Sequence, residues 1–156
     1  KYWNNDLGVS YSHAPHYRET AAAAILEMRR QVPQDVFDAE GLLQKGLLLR
    51  HLILPGQYRD SMRILDWVRA SLGEETLVSL MSQYTPLYRA KEIKALSRKL
   101  TTFEYEKVID YFFEIGLKNG FMQKRSSATG EYTPTFDLSG VAAAESFMKR
   151  EENHHD

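Results

Sequence analysis

The chain has no cysteine among its 156 residues, which removes several chemistries before any pattern is read. Without thiolates there is no disulfide framework, no cysteine-ligated zinc site, no cysteine nucleophile and no iron-sulfur cluster held by the chain's own ligands. Charge of one sign is also missing. The 20 Lys+Arg stand against 21 Asp+Glu, a formal net charge of -1, so no overall basic field is available to condense onto a phosphate backbone and nucleic acid is not expected as a partner. No apolar run approaches the roughly 18 to 20 residues that span a bilayer, and the N-terminus lacks the charged and apolar regions of a signal peptide. The expected setting is therefore cytoplasmic, away from the membrane. The 5 Pro and 9 Gly do not gather into a linker, and no repeat or low-complexity tract divides the chain.

What is present is helical and strand periodicity in alternation. Residues Tyr11 to Tyr17 read as a loop, and RETAAAAILEMRRQ, from about Arg18 to Gln31, as a helix with Ala22, Ile25 and Leu26 on one face. The run Leu47 to Leu54, bounded by Gly46 and Pro55-Gly56, is too short for a helix and suits a strand buried on both faces. Asp60 is placed to N-cap SMRILDWVRASL, with Met62, Leu65, Val68 and Leu72 on one stripe and Gly73 as the stop. Thr76 to Tyr84 is a second strand candidate. Thr101-Thr102-Phe103-Glu104 is a capping box for a third helix that Lys118-Asn119-Gly120 would end, and Phe121-Met122-Gln123 a short third strand. Beyond Arg125 the pattern is irregular until a last helix expected from Val141 to Arg150.

This order of helix and strand, with connections too long for hairpins, predicts parallel βα units whose right-handed crossovers put the helices on one side. A parallel sheet with one bare face calls for a covering partner. The opening Lys1-Tyr2-Trp3-Asn4-Asn5-Asp6 sets two large aromatics where a frayed polar end is the rule. We expect it to be a cut rather than a natural start.

Polar residues on buried strands are informative because desolvating them costs several kcal/mol unless something pairs them. Alternation sends Arg50 and His51 to opposite faces. Arg50 could pair with a neighbouring carboxylate, or it could offer its fork to a ligand carboxylate or phosphate. His51 reads as a satisfied core histidine. Ser82-Gln83-Tyr84-Thr85-Pro86 ends the second strand at the edge where parallel α/β folds bind ligands. The histidines make poor metal ligands by spacing. His13 and His16 share a loop, His154 and His155 a tail, and no further ligands stand at a recognised interval.

Several separated segments, K-Y-W-N at the start, L-L-L-R-H-L-I-L-P-G (47–56), D-S-M-R-I-L-D-W-V (60–68), V-S-L-M-S-Q-Y-T-P (78–86), N-G-F-M-Q (119–123) and E-Y-T-P-T-F-D (131–137), together resemble one family. They are similar to the C-terminal half of radical S-adenosylmethionine proteins related to the pyruvate formate-lyase activating enzyme. The resemblance implies an α/β fold, the C-terminal half of a partial (β/α)6 TIM-like barrel over residues 1–140, with 141–156 as a terminal helix and tail. It implies a missing N-terminal half that carries C-x-x-x-C-x-x-C and its 4Fe-4S cluster. S-adenosylmethionine would be the cofactor, hydrogen abstraction by a 5′-deoxyadenosyl radical the reaction, and a glycyl-radical enzyme or another protein a possible substrate. Alone, this chain would be inactive and would hold no catalytic residue or metal.

Carried over residue by residue, Lys1 matches the lysine ending the family's D-L-K, and Arg50 the fifth-strand arginine at the cofactor. The backbone of Leu52 and the side chain of Met81 would lie beside the adenine. Tyr84 stands where the activating enzyme has histidine, so either Tyr84 or Gln83 would make that contact. Trp3 and Asn4, at the barrel mouth, are candidates for substrate contact. The competing expectation is a non-enzymatic α/β module that binds a small ligand or a protein along the Ser82 to Pro86 edge.

Overall fold

A computed structural model describes residues 1–122. The expected Val141–Arg150 helix, the 131–137 motif, the boundary at 140 and the histidine tail lie outside the described residues. Two helices open the chain, α1 (Asn5–Ser12) and α2 (Tyr17–Gln31). A small antiparallel hairpin follows, β1 (Val36–Phe37) with β2 (Leu43–Lys45). Then come β3 (Leu48–Leu52), α3 (Tyr58–Leu72), β4 (Leu77–Met81), a 3-10 turn (Tyr88–Glu92), α4 (Thr102–Glu114) and β5 (Gly120–Met122).

The fold class is α/β. Strands β3, β4 and β5 lie side by side in that order, all parallel, with Leu48 in register with Leu77 and Leu80 with Met122. Alternation along each strand then sorts the side chains. His51, Ile53, Val78 and Leu80 are buried, and the core they enter is completed by Leu65 and Val68 of α3 and Tyr105, Val108 and Phe112 of α4. Leu65, Leu80 and Phe112 are fully buried, each stabilising the fold by about 2–3 kcal/mol. The opposite parity is more open among the described residues: Leu48, Arg50 and Phe121 are exposed and Leu52, Ser79 and Met81 half-buried, while Leu77, beside Leu48, is buried.

A second cluster sits beyond the C-terminal ends of β3 and β4. Tyr2, Leu54, Tyr84 and Leu96 form it, with Leu7, Tyr11, Tyr17, Leu52 and Ile93 packed around them. Tyr2 meets Tyr17 edge-on at 5.2 Å between ring centroids, an arrangement that favours the aromatic quadrupoles.

Several local expectations change. The Tyr11–Tyr17 loop shrinks, because α1 runs to Ser12 and only residues 13–16 connect it to α2. Asp60 does not cap α3. The helix starts earlier, at Tyr58, and the Asp60 carboxylate instead accepts the backbone N–H groups of Trp3 (2.8 Å) and Asn4 (2.9 Å), partners too remote in sequence for local pattern to reveal. Helix α4 ends at Glu114 rather than at Lys118-Asn119-Gly120, since the left-handed Gly116 (φ +84°) already turns the chain there. Gly120 belongs to β5, where a Cβ would come within 2.9 Å of Phe112 Cε1.

The capping box at α4 is as expected and does more than cap. Glu104 is buried, and it accepts from Thr101 N (3.0 Å), Thr101 Oγ1 (2.9 Å), both Nη atoms of Arg98 (2.8 Å each) and Gly56 N (2.6 Å). Its carboxylate thereby joins the turn after β3, the loop after β4 and the start of α4. The Arg98 fork first, then the backbone N–H groups of Thr101 and Gly56, holds its pKa down to about 2. Glu104→Ala removes the one buried acceptor that ties the exposed donors of Gly56, Arg98 and Thr101 together. We expect a loss of about 2–4 kcal/mol in urea unfolding, against under about 1 kcal/mol for Glu106→Ala on the exposed side of α4.

Candidate functional site

The more open face of the sheet around Arg50, and the rim at its C-terminal end, form the candidate site among the described residues. Parallel register sets Arg50 of β3 beside Ser79 of β4, with Phe121 of β5 next in the same row; one step further toward the C-terminal ends, Leu52 stands beside Met81. The guanidinium of Arg50 is exposed and no carboxylate among the described residues pairs with it. Instead Arg50 Nη2 donates to the Met81 sulfur at 3.2 Å. Gln83 Nε2 approaches the same sulfur at 3.6 Å. A thioether is a weak acceptor, so both donors keep most of their capacity for a stronger one. Arg50, Leu52, Met81 and Gln83, four residues singled out in the sequence, thus come together on one wall.

The remaining sequence-derived candidates have other contacts. Tyr84 is buried, and its hydroxyl donates to the Leu96 carbonyl at 2.8 Å. Burial first, then the neighbouring Tyr2 and Tyr11, raises its pKa. Its phenol is therefore committed inside the second cluster, and Gln83 is the exposed member of that pair. Asn4 caps α1, its side chain accepting from Asp6 N at 2.9 Å. Trp3 packs against Trp67 of α3 at 6.3 Å, with the Arg18 guanidinium 5.2 Å from its ring centre. The Lys1 ammonium lies 5.3 Å from the Tyr2 ring centre, and the Lys1 backbone nitrogen donates to the Tyr17 hydroxyl at 3.0 Å.

Asp60 is the residue that sequence reasoning assigned elsewhere. By holding Trp3 and Asn4 it fixes the N-terminal segment over the C-terminal end of β3. No local signal marked it: an aspartate at the start of a helical pattern reads as a cap, and only the fold brings Trp3 and Asn4 beside it.

Two other places carry polar groups without a comparable wall. A cleft of about 460 Å³ opens at the opposite, N-terminal ends of β4 and β5, lined by Arg29, Asp35, Phe37, Thr76, Leu77 and Asn119. Its arginine is paired with Asp35 at 3.0 Å, and Glu75, also on its lining, with Lys118 at 2.7 Å. His13 and His16 both adopt left-handed backbone, at the end of α1 and the start of α2. Among the described residues no group of three or more His, Asp or Glu is placed to hold a metal ion, and no helix is long and apolar enough to cross a membrane.

The chain is 28% identical over 113 residues to an uncharacterized protein of Methanocaldococcus jannaschii. That stretch is 70% of this chain but 28% of the archaeal protein, so the chain spans under a third of the length of the relative it matches. No protein-family profile and no solved structure matches the chain.

Behind the wall, His51 occupies the covered face. Its Nε2 lies 2.8 Å from Ser61 Oγ on α3, and burial pulls its pKa from 6.5 to about 3. The folded chain keeps this ring neutral while the unfolded chain takes up a proton below pH 6.5. Stability is therefore complete above 6.5 and falls on acidification toward 3, by at most about 1.4 kcal/mol per pH unit. Carboxylates held low, such as Glu104, add their own loss only below about 4.5. Urea midpoints should decline between pH 6.5 and 4.5 in the parent chain and much less in His51→Asn; a flat parent profile across that window would contradict a buried neutral histidine.

Proposed function

We propose that this chain is the S-adenosylmethionine-supporting half of a radical S-adenosylmethionine enzyme related to the pyruvate formate-lyase activating enzyme. The observation that carries the proposal is the exposed Arg50, paired with no carboxylate among the described residues, on the more open face of a parallel sheet, beside Met81 and one register step from Leu52. A ligand with a carboxylate, a ribose and a flat base suits such a wall. The guanidinium fork meets an anionic or hydroxyl-bearing end, the Gln83 amide supplies further donors, and Leu52 with Met81 offers apolar surface for the ring. Rigid strands hold these groups in place before the ligand arrives. When bound, the cofactor supplies the carbon radical that abstracts hydrogen.

The residues present do not fit the 4Fe-4S cluster, because the chain has no cysteine; its ligands belong to the missing N-terminal half. That half would also complete the partial (β/α)6 barrel. Two features support this reading. Among the described residues β3 is the edge of its sheet, paired with β4, and Asp60 holds Trp3 and Asn4 at the C-terminal end of β3. A strand ending at Lys1 would thus run parallel along that edge and curve over the more open face. The substrate would be approached from the rim, with a glycyl-radical protein as the partner the resemblance implies, in a cytoplasmic setting. The rival reading, a non-enzymatic binding module, draws support from Tyr84, whose inward hydroxyl removes one of the expected cofactor contacts.

In the longer protein, Arg50→Ala should weaken S-adenosylmethionine binding by more than about tenfold in calorimetry, roughly 1.4 kcal/mol or more. Unchanged affinity would return Arg50 to a surface residue. Anaerobic iron-sulfur reconstitution of these 156 residues alone should yield no cluster absorbance. The coding sequence upstream of Lys1 separates the two readings directly, since the enzyme requires Asp-Leu before Lys1 and a three-cysteine motif further back.

A further inference from the structure

The connection from β4 to α4 concentrates charge that the composition conceals. Between Tyr88 and Lys99 the sequence YRAKEIKALSRK holds five basic residues and one acid. In a chain of net charge -1, the remainder is net negative and the cations of this segment stand apart. All five are exposed. Arg98 is committed to Glu104, and Arg89 approaches Glu92 only at 3.9 Å between two largely exposed side chains, a contact of little energetic weight. Lys91, Lys94 and Lys99 pair with no carboxylate among the described residues.

The segment is held in shape from beneath. Leu96 and Leu100 are buried, Ala90 and Ile93 pack on the second cluster, and the Tyr84 hydroxyl donates to the Leu96 carbonyl. Its inner side is therefore fixed while its cations point outward, which lowers the ordering cost of binding. At its start, Leu87 is exposed, and Tyr88 combines 74% exposure with a left-handed backbone (φ +49°). An exposed tyrosine in that conformation is uncommon. An aromatic anchor bordered by cations matches the composition of residues that dominate protein interfaces.

We propose that the Tyr88–Lys99 segment is the docking surface for an acidic segment of a protein partner, with Leu87 and Tyr88 as its apolar anchor and Lys91, Lys94 and Lys99 as its charge. A nucleic acid is the less favoured polyanion. A long phosphate chain would run past this segment onto the net-negative remainder, and the three unpaired cations are lysines, without the bidentate fork that arginine brings to phosphate. The segment follows β4, which ends at Met81, and packs on the second cluster that Leu52 also meets, so a partner seated here borders the candidate site. The inference stands on charge and packing alone, independently of which cofactor, if any, the sheet wall binds.

The test uses the full chain and fluorescence anisotropy with a labelled short oligo-glutamate peptide carrying one tryptophan, and an oligo-uridylate of matching charge as the comparison. The peptide should bind at low salt and weaken as salt screens it. Lys91→Glu/Lys94→Glu/Lys99→Glu should reduce peptide affinity by about tenfold or more, and the triple glutamine variant by a smaller factor in the same direction. Lys45→Glu, on β2, should leave it unchanged. Tyr88→Gly should weaken the peptide by about threefold while raising the thermal midpoint, since glycine accepts the left-handed backbone. Absence of peptide binding, tighter binding of the oligo-uridylate, or an equal loss in Lys45→Glu would each overturn the proposal.

Discussion

Three parallel strands carry their two connecting helices, α3 and α4, on one face, and nearly everything else in this molecule follows from that one-sidedness. On the covered face α3 and α4 dehydrate the sheet, so His51 must be neutral and finds its partner in Ser61. On the other face the same alternation leaves Arg50 exposed, meeting a thioether and no carboxylate among the described residues. Neighbouring residues on one strand therefore have opposite electrostatic fates, and the difference is set by backbone parity rather than by their own chemistry.

The rim above the sheet is organised by two carboxylates. Asp60 gathers the N-terminal segment, and Glu104 gathers the turn after β3 with the loop after β4. Each accepts from backbone N–H groups that no helix or strand ladder would satisfy, so each removes a cost as well as adding a contact. Between them sits the tyrosine-rich second cluster, which gives the rim an apolar interior of its own. The wall bearing Arg50 and the basic segment after β4 share this support.

Sequence periodicity disclosed the alternation of helix and strand, the parallel sheet, the capping box at Thr101 and the stop at Gly73, because each depends on residues within a few positions of one another. It also separated Arg50 from His51. What it missed is long-range or weakly patterned. Asp60 looks like a cap locally and becomes an anchor only when Trp3 is brought beside it. Helix α1 has little apolar periodicity, and the hairpin of β1 and β2 consists of five exposed residues with no alternation to read. Tyr84 illustrates a different limit. Its position at a strand end was legible, but the direction of its hydroxyl depends on the Leu96 carbonyl twelve residues away. The partial barrel and the cofactor rest on resemblance and on the chemistry of the wall around Arg50, since the relative in Methanocaldococcus jannaschii carries no assigned activity in its description.

Division of the interior into two clusters has a kinetic corollary. The larger cluster is built from β3 through Leu117, segments close in sequence, whereas the smaller one joins Tyr2 to Leu54, Tyr84 and Leu96 across long stretches of chain. Closing those longer loops costs more entropy and rewards the chain later. Docking of the N-terminal segment onto the formed sheet and its two helices is accordingly expected to be a late step. In the native state the order reverses: the rim opens below the cost of global unfolding, as sub-global units do. Amide exchange at Trp3 and Asn4 accordingly reports rim opening, and exchange at Val78 and Leu80 reports the loss of the whole fold.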